Sequence, residues 1–134
     1  GRDDITCYLA QKNGSLIHYS WVFHNSLISP LMKTPIRRSC IRDGDIYLGP
    51  VFTVPGSRGF VYPKVLSSIV NTLQYRQQAK RLIVLVHERT PGAVNFYKRL
   101  GFKPMLSKQS QSRLGRVYRF MIKLLNHLTK TATY

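Results

Sequence analysis

A mixed α/β domain is the fold class this sequence predicts: one β-sheet with a central parallel pair flanked by antiparallel strands, and helices on both faces. Three observations carry it. Two apolar runs flank Asn13-Gly14 near the N-terminus. In the middle, strand-like residues 46–54 and 82–86 enclose a stretch of helical periodicity. Two further short apolar runs follow Gly101. A strand-helix-strand unit makes a parallel pair through a right-handed crossover, whereas the outer strands run antiparallel. At 134 residues the chain is one domain, residues 1–134.

The first element is a hairpin. Ile5 to Ala10 and Leu16 to Phe23 are its strands, and Asn13-Gly14 supplies the positive φ angles of a tight turn. Ile17, Tyr19, Trp21 and Phe23 share one face of the second strand; Leu16, His18, Ser20, Val22 and His24 share the other. Neither is strongly polar, so cover on both is expected. Residues 25–45 contain Pro30, Pro35 and three arginines, and read as a long basic connection with one helical turn at most.

"IYLGPVFTV" is the third strand. From Phe60 to about Gln78, the residues Val61, Val65, Leu66, Ile69, Val70 and Leu73 recur at helical spacing. "RLIVLVH" is continuously apolar, as in a strand buried on both faces. Pro91 opens a short helix with Ala93, Phe96, Tyr97 and Leu100 on its apolar side, and Gly101 suits the left-handed residue that ends it. "FKPMLSK" and "RVYRFMIKLL" are the last two strands, and the tail from Asn126 is expected to fray.

Lys and Arg number 21 against 5 Asp and Glu, a formal +16, and no acidic residue follows Glu88. A field of that sign attracts polyanions: nucleic acid, an acidic membrane surface or a phosphorylated small molecule. It is equally the signature of a solvated basic surface with no specific partner. No apolar run reaches the length of a membrane span. "GRDDITCYLA" lacks the basic-then-apolar order of a signal peptide, and Cys7 and Cys40 read as reduced thiols or as one disulfide, so a cytoplasmic protein is expected. Phosphate-loop, nucleophile-elbow and paired-carboxylate signatures are missing, and the histidines lack partners at metal-ligand spacing.

The chemistry-bearing stretch is the turn Pro55-Gly56-Ser57-Arg58-Gly59, which leads a buried strand straight into the long helix. It is either a plain connection or a backbone built to meet a ligand. A helix N-terminus with free N–H groups favours anionic oxygens, and glycine allows close approach.

"TVPGSRGFVYPKVL" and "ERTPGAVNFYKRLGF" together resemble two segments of the GNAT superfamily of acyl-coenzyme A-dependent N-acyltransferases. The first is similar to the family's strand, Arg/Gln-x-x-Gly-x-Gly/Ala loop and long helix. The second is similar to its Asn-x-x-Ala-x-x-Phe-Tyr-x-x-x-Gly-Phe segment. The likeness spans residues 5–124. Val61 stands where the loop's first glycine belongs and Pro63 where its second small residue belongs, and Thr90 replaces the usual Asn. The family's first strand and next two helices have no counterpart, so a fragment, a reduced member or half of an assembly are all open.

The resemblance implies acetyl-CoA as cosubstrate, no metal, and acetyl transfer to an unidentified amine. It assigns the diphosphate to the amides of Arg58, Gly59, Phe60, Val61 and Tyr62, with Val61 crowding the ligand. It runs the pantetheine arm along Phe52, Thr53 and Val54, and it adds Thr90, Ala93 and Phe96 to the cofactor side. The N–H of Val54 or a neighbour would polarise the thioester carbonyl. Tyr97 is the implied general acid toward the coenzyme sulfur, or else a core tyrosine. Candidates for the base are Glu88, the pair Asp45 and Tyr47 on one strand face, and His18 and His24. The alternative is an inactive scaffold of this fold that binds nucleic acid or another polyanion. A third reading is an enzyme whose acceptor is itself anionic, such as a nucleotide-linked amino sugar or a tRNA. An incomplete sheet edge would also invite homo-oligomers.

Overall fold

Asn13 at φ 52° and Gly14 at φ 79° make the predicted turn, and strands β1 (Ile5–Lys12) and β2 (Ser15–Phe23) pair antiparallel across it. The structure, a computed structural model, describes residues 4–25, 41–75, 80–87, 91–104 and 118–124. After β2 come β3 (Asp45–Thr53), a short 3₁₀ turn (Pro55–Ser57) and helix α1 (Val61–Gln74). Then follow β4 (Arg81–His87), α2 (Pro91–Arg99), β5 (Lys103–Pro104) and β6 (Tyr118–Leu124). The sheet order is β1-β2-β3-β4-β6-β5. Only β3 and β4 are parallel; every other described pair is antiparallel. The mixed sheet with its central parallel pair is therefore the one the sequence predicts.

The helical stripe of α1 buries Val61, Leu66, Ile69, Val70 and Leu73. Most of these join Ile46 and Leu48 of β3, Leu82, Val84 and Val86 of β4, Val22 of β2, and Val94 and Tyr97 of α2 in one core. Strand alternation puts Asp45, Tyr47 and Ile83 on the opposite face, where they are also buried. The long helix ends at Gln74, four residues short of the expected end; residues 76–79 lie outside the described set. Of "FKPMLSK", Lys103 and Pro104 are strand and residues 105–108 lie outside the described set, as do Cys40, most of the 25–45 connection and the C-terminal tail. Cys7 is a free thiol.

α2 stops where the sequence predicts. Gly101 takes φ 91°, its N–H donates to Lys98 O (3.0 Å), and the Phe102 N–H donates to Tyr97 O (3.0 Å). This pair of bonds is a Schellman cap, and its usual apolar contact is present as Phe102 against the Tyr97 ring. A Cβ at position 101 would meet no atom within 4 Å, so the cost of Gly101→Ala is conformational alone. We expect about 1–2 kcal/mol of lost stability, read as a lower urea midpoint with an unchanged slope.

Candidate active site where β3 and β4 part

β3 and β4 pair from Asp45↔Arg81 to Leu48↔Val84 and then separate. β4 continues to His87, still paired with β6, and β3 continues to Thr53, still paired with β2. Two edges thus open toward one another between Gly49–Thr53 and Leu85–His87. A β-bulge marks the parting: Gly49 and Pro50, joined by a cis peptide, oppose the single residue Trp21. Gly49 sits at φ 147°, where side chains are disfavoured, and a Cβ there would lie 2.9 Å from the Tyr47 hydroxyl.

The bulge also decides which backbone groups face the opening. The Val54 N–H donates to Ile17 O at 2.9 Å, which corrects the expectation that it is available to a thioester carbonyl. By antiparallel alternation, Phe52 turns its backbone groups to β2 as well, while those of Val51 and Thr53 face the opening. The arm along Phe52, Thr53 and Val54 therefore reduces to Thr53, joined by Val51. One of these groups is engaged, since the Arg58 Nε–H donates to Thr53 O at 3.2 Å and straps the turn to the strand.

The turn itself opens at its exposed residues Arg58, Gly59 and Phe60. No side chain caps α1, and its first turn carries no acid, so its N-terminal amides and dipole are uncompensated by either. Val61 is 9% exposed and forms part of the inward face of α1 rather than standing over the turn. Pro63 occupies the first helical turn, where its missing N–H costs no helical bond.

Aromatic and hydroxyl groups link the open edge of β3 to α2. Thr53 Oγ1 bonds His18 Nδ1 at 2.6 Å, and Ser20 Oγ bonds His18 Nε2. The His18 ring stacks on Tyr62 with centroids 5.4 Å apart. The Tyr62 hydroxyl lies 2.5 Å from that of Tyr97, and Tyr62 also packs on Phe96. Burial is the largest influence on Tyr97 and raises its pKa; with the Tyr62 hydrogen bond lowering it and Tyr47 raising it, the result is about 12. Tyr97 is thus a protonated phenol at neutral pH.

The candidate bases separate in this geometry. Asp45 is buried in a two-pronged pair with Arg81: Arg81 Nε donates to Oδ1 at 2.6 Å, Nη2 reaches Oδ2, and the Arg42 N–H donates to Oδ2 at 2.7 Å. Both of its oxygens accept hydrogen bonds inside this buried pair, which makes it a structural anchor. Tyr47 is buried against Phe23, and burial raises its pKa, so it keeps its proton and supplies a hydroxyl instead of a base. His18 is fully buried with both nitrogens bonded, which removes it from solvent exchange. His24 Nε2 bonds Thr6 Oγ1 at 2.9 Å, far along β2 from the opening. Glu88 and Thr90 lie outside the described residues, whereas Ala93 and Phe96 are half-buried on α2. Among the described residues no cluster suits a metal ion.

Burial lowers the His18 pKa below its ordinary 6.5. The folded protein then binds fewer protons than the unfolded chain as pH falls through and below that value. Stability is full above it and declines on acidification. We expect His18→Gln to flatten the loss of stability between about pH 7 and 5, measured by thermal melts across that range.

The features now in place, a mixed sheet whose parallel pair parts beside a strand-turn-helix, define the fold of the GNAT-superfamily acyl-CoA N-acyltransferases. Solved structures agree. The chain is similar to a GNAT-family acetyltransferase from Staphylococcus aureus (17% identity, 90% of this chain and 68% of that one, TM-score 0.64). It is similar to the aminoglycoside acetyltransferase AAC(6')-Ib, solved with coenzyme A and kanamycin (14%, 99% and 73%, TM-score 0.67). Arabidopsis thaliana NAA60, solved with acetyl-CoA, is a further likeness (14%, 92% and 77%, TM-score 0.65). At these identities the likeness shows the fold. The sequence matches no family model and no curated protein.

Sequence reasoning missed three things: the Asp45–Arg81 pair, the buried histidine with its two hydroxyl partners, and the side chain of Tyr62. The first had a usable signal, because both residues open strands of one parallel pair. The Thr53 partner of His18 depends on the bulge, for which the sequence offers only Gly49-Pro50, and the Tyr62 contacts depend on how α1 and α2 pack.

Proposed function

We propose that this protein is an acyl-CoA-dependent N-acyltransferase that moves an acetyl group from acetyl-CoA to an amine. The observation that carries this reading is the Tyr97 hydroxyl held against Tyr62 in the first turn of α1, whose ring stacks on the His18 that bonds Thr53 on the open edge of β3. Similar folds solved with coenzyme A or acetyl-CoA support the choice of cosubstrate. The amides of Arg58, Gly59, Val61 and Tyr62 receive the diphosphate, aided by the dipole of α1, whereas that of Phe60 donates to Ser57 O at 3.4 Å and drops out of the expected set. The backbone of Val51 and Thr53 pairs with the amide-bearing arm. Tyr97 gives its proton to the departing thiolate. Ala93 and Phe96 provide apolar contact on the same side, and Thr90 is assigned there from the sequence. The amine's proton goes to Glu88, which follows β4, or to water.

The formal +16 charge supports an anionic acceptor, with the exposed Lys64, Lys98, Arg99 and Lys103 steering it. The competing reading is a scaffold without catalysis that uses the same charge on nucleic acid. Calorimetric titration with acetyl-CoA separates the two. Binding is expected, with a heat signal competed away by free coenzyme A. No binding at millimolar acetyl-CoA, together with salt-sensitive polynucleotide binding, would favour the scaffold.

A further inference from the structure

We propose that Tyr62 is a positioning residue for Tyr97: its hydroxyl donates to the Tyr97 oxygen, aims the Tyr97 proton away toward the opening, and holds the phenolate formed when that proton leaves. The inference rests on the reading of Tyr97 as general acid.

The geometry leaves little choice of arrangement. Only one hydrogen fits between two hydroxyl oxygens 2.5 Å apart, so one tyrosine donates to the other and the donor's proton is spent. An acid toward a third atom must be the acceptor of this bond. Tyr62 is fixed for the donor part by contacts on three sides. Its ring stacks on His18, tilts against Phe96 at 5.6 Å, and meets the Tyr97 ring edge-on. His18 in turn is held at both nitrogens by Thr53 and Ser20, so the Tyr62 ring rests on a surface that does not rotate. Tyr97 is held from behind by Phe102 and from the side by Phe96, each with centroids at 5.2 Å.

Relative acidity agrees with the direction. Burial raises the Tyr62 pKa well above the ordinary value, and its contact with Tyr97 raises it further, whereas the same bond lowers Tyr97. Tyr97 is the group that ionises and Tyr62 the one that keeps its proton. Among the described residues, the titratable groups around Tyr97 are Tyr62 on α1, Tyr47 on β3 and, behind Tyr62, His18 on β2.

The proton balance closes. In the transfer step the amine nitrogen bonds the acetyl carbon, the C–S bond breaks, and the Tyr97 O–H proton passes to the departing sulfur, leaving a phenolate that accepts the Tyr62 hydrogen bond. The attacking amine releases one proton to solvent, and the phenolate takes one back. Tyr62 itself never transfers its proton.

The test compares Tyr62→Phe, Tyr97→Phe and the double variant in the release of thiol from acetyl-CoA with hydroxylamine as surrogate acceptor. Tyr62→Phe is expected to lower kcat about tenfold, in line with losing a hydrogen bond to a charged oxygen, with KM for acetyl-CoA little changed. Added to Tyr97→Phe it is expected to cost nothing more, because it acts only through that hydroxyl. A second readout is the ¹³Cζ resonance of Tyr97 in tyrosine-labelled protein, whose titration midpoint should rise in Tyr62→Phe. An additive double variant, or an unmoved midpoint, overturns the assignment of Tyr62 while leaving Tyr97 as the acid. Unchanged turnover in Tyr97→Phe overturns the acid reading itself, and the positioning role with it.

Discussion

With Tyr97 as the proposed general acid, Tyr97→Phe is expected to lower kcat for acetyl transfer about a hundredfold while acetyl-CoA still binds within about twofold of the parent affinity. The magnitude is the lower part of what general acid catalysis contributes. The split between kcat and binding follows from what the substitution removes. Phenylalanine keeps the ring packed on Phe96 and Phe102 and loses only the hydroxyl. The amides proposed to bind the diphosphate are untouched, so ground-state binding is expected to persist and only the protonation of the leaving thiolate to suffer. The measurement is thiol release under saturating acetyl-CoA, with calorimetric affinity as its companion. Undiminished kcat would return Tyr97 to the status of a core tyrosine.

Arg81→Met is expected to destabilise the fold by about 3–5 kcal/mol, because it leaves the Asp45 carboxylate buried beside a single backbone donor. The two side chains are 8% and 0% exposed, so water cannot replace the lost partner. Asp45→Asn is expected to fall in the same direction, since Arg81 then faces a neutral amide. Replacing both, as Asp45→Leu with Arg81→Met, should recover much of the loss, because a buried ion pair and an apolar pair of similar volume are close in free energy. Denaturant melts of the three variants decide the matter. A single variant as stable as the parent would mean that the pair is exposed in solution. The position matters as well: Asp45 and Arg81 fasten β3 to β4 at the end where the strands are joined, opposite the end where they part.

Much of the fold was legible because short-range rules govern it. Asn13-Gly14 predicted a hairpin and its positive φ angles, and the stripe from Val61 to Leu73 predicted the buried face of α1. Gly101 predicted the helix stop that brings Phe102 onto Tyr97. Each is a local preference that the chain expresses wherever it lies. The candidate bases were less legible. Asp45, His18 and Tyr47 have suitable chemistry in isolation, but each is taken out of use by a partner or by burial that the sequence does not display. Val54 shows the same limit for the backbone, since its N–H is spent on Ile17 across a strand pair.

By itself the sequence determined the elements, their order and the strand-turn-helix around Arg58, because turn chemistry and hydrophobic period are properties of neighbouring residues. Only the tertiary structure decided which groups meet. One extra residue opposite Trp21 reverses the alternation of β3, so Thr53 shares a face with Leu48 and not with Tyr47. That single reversal brings Thr53 onto His18, whose ring stacks on Tyr62, the hydroxyl of which meets that of Tyr97. A bulge is a relation between two strands, and no pattern within one of them specifies where its consequences fall.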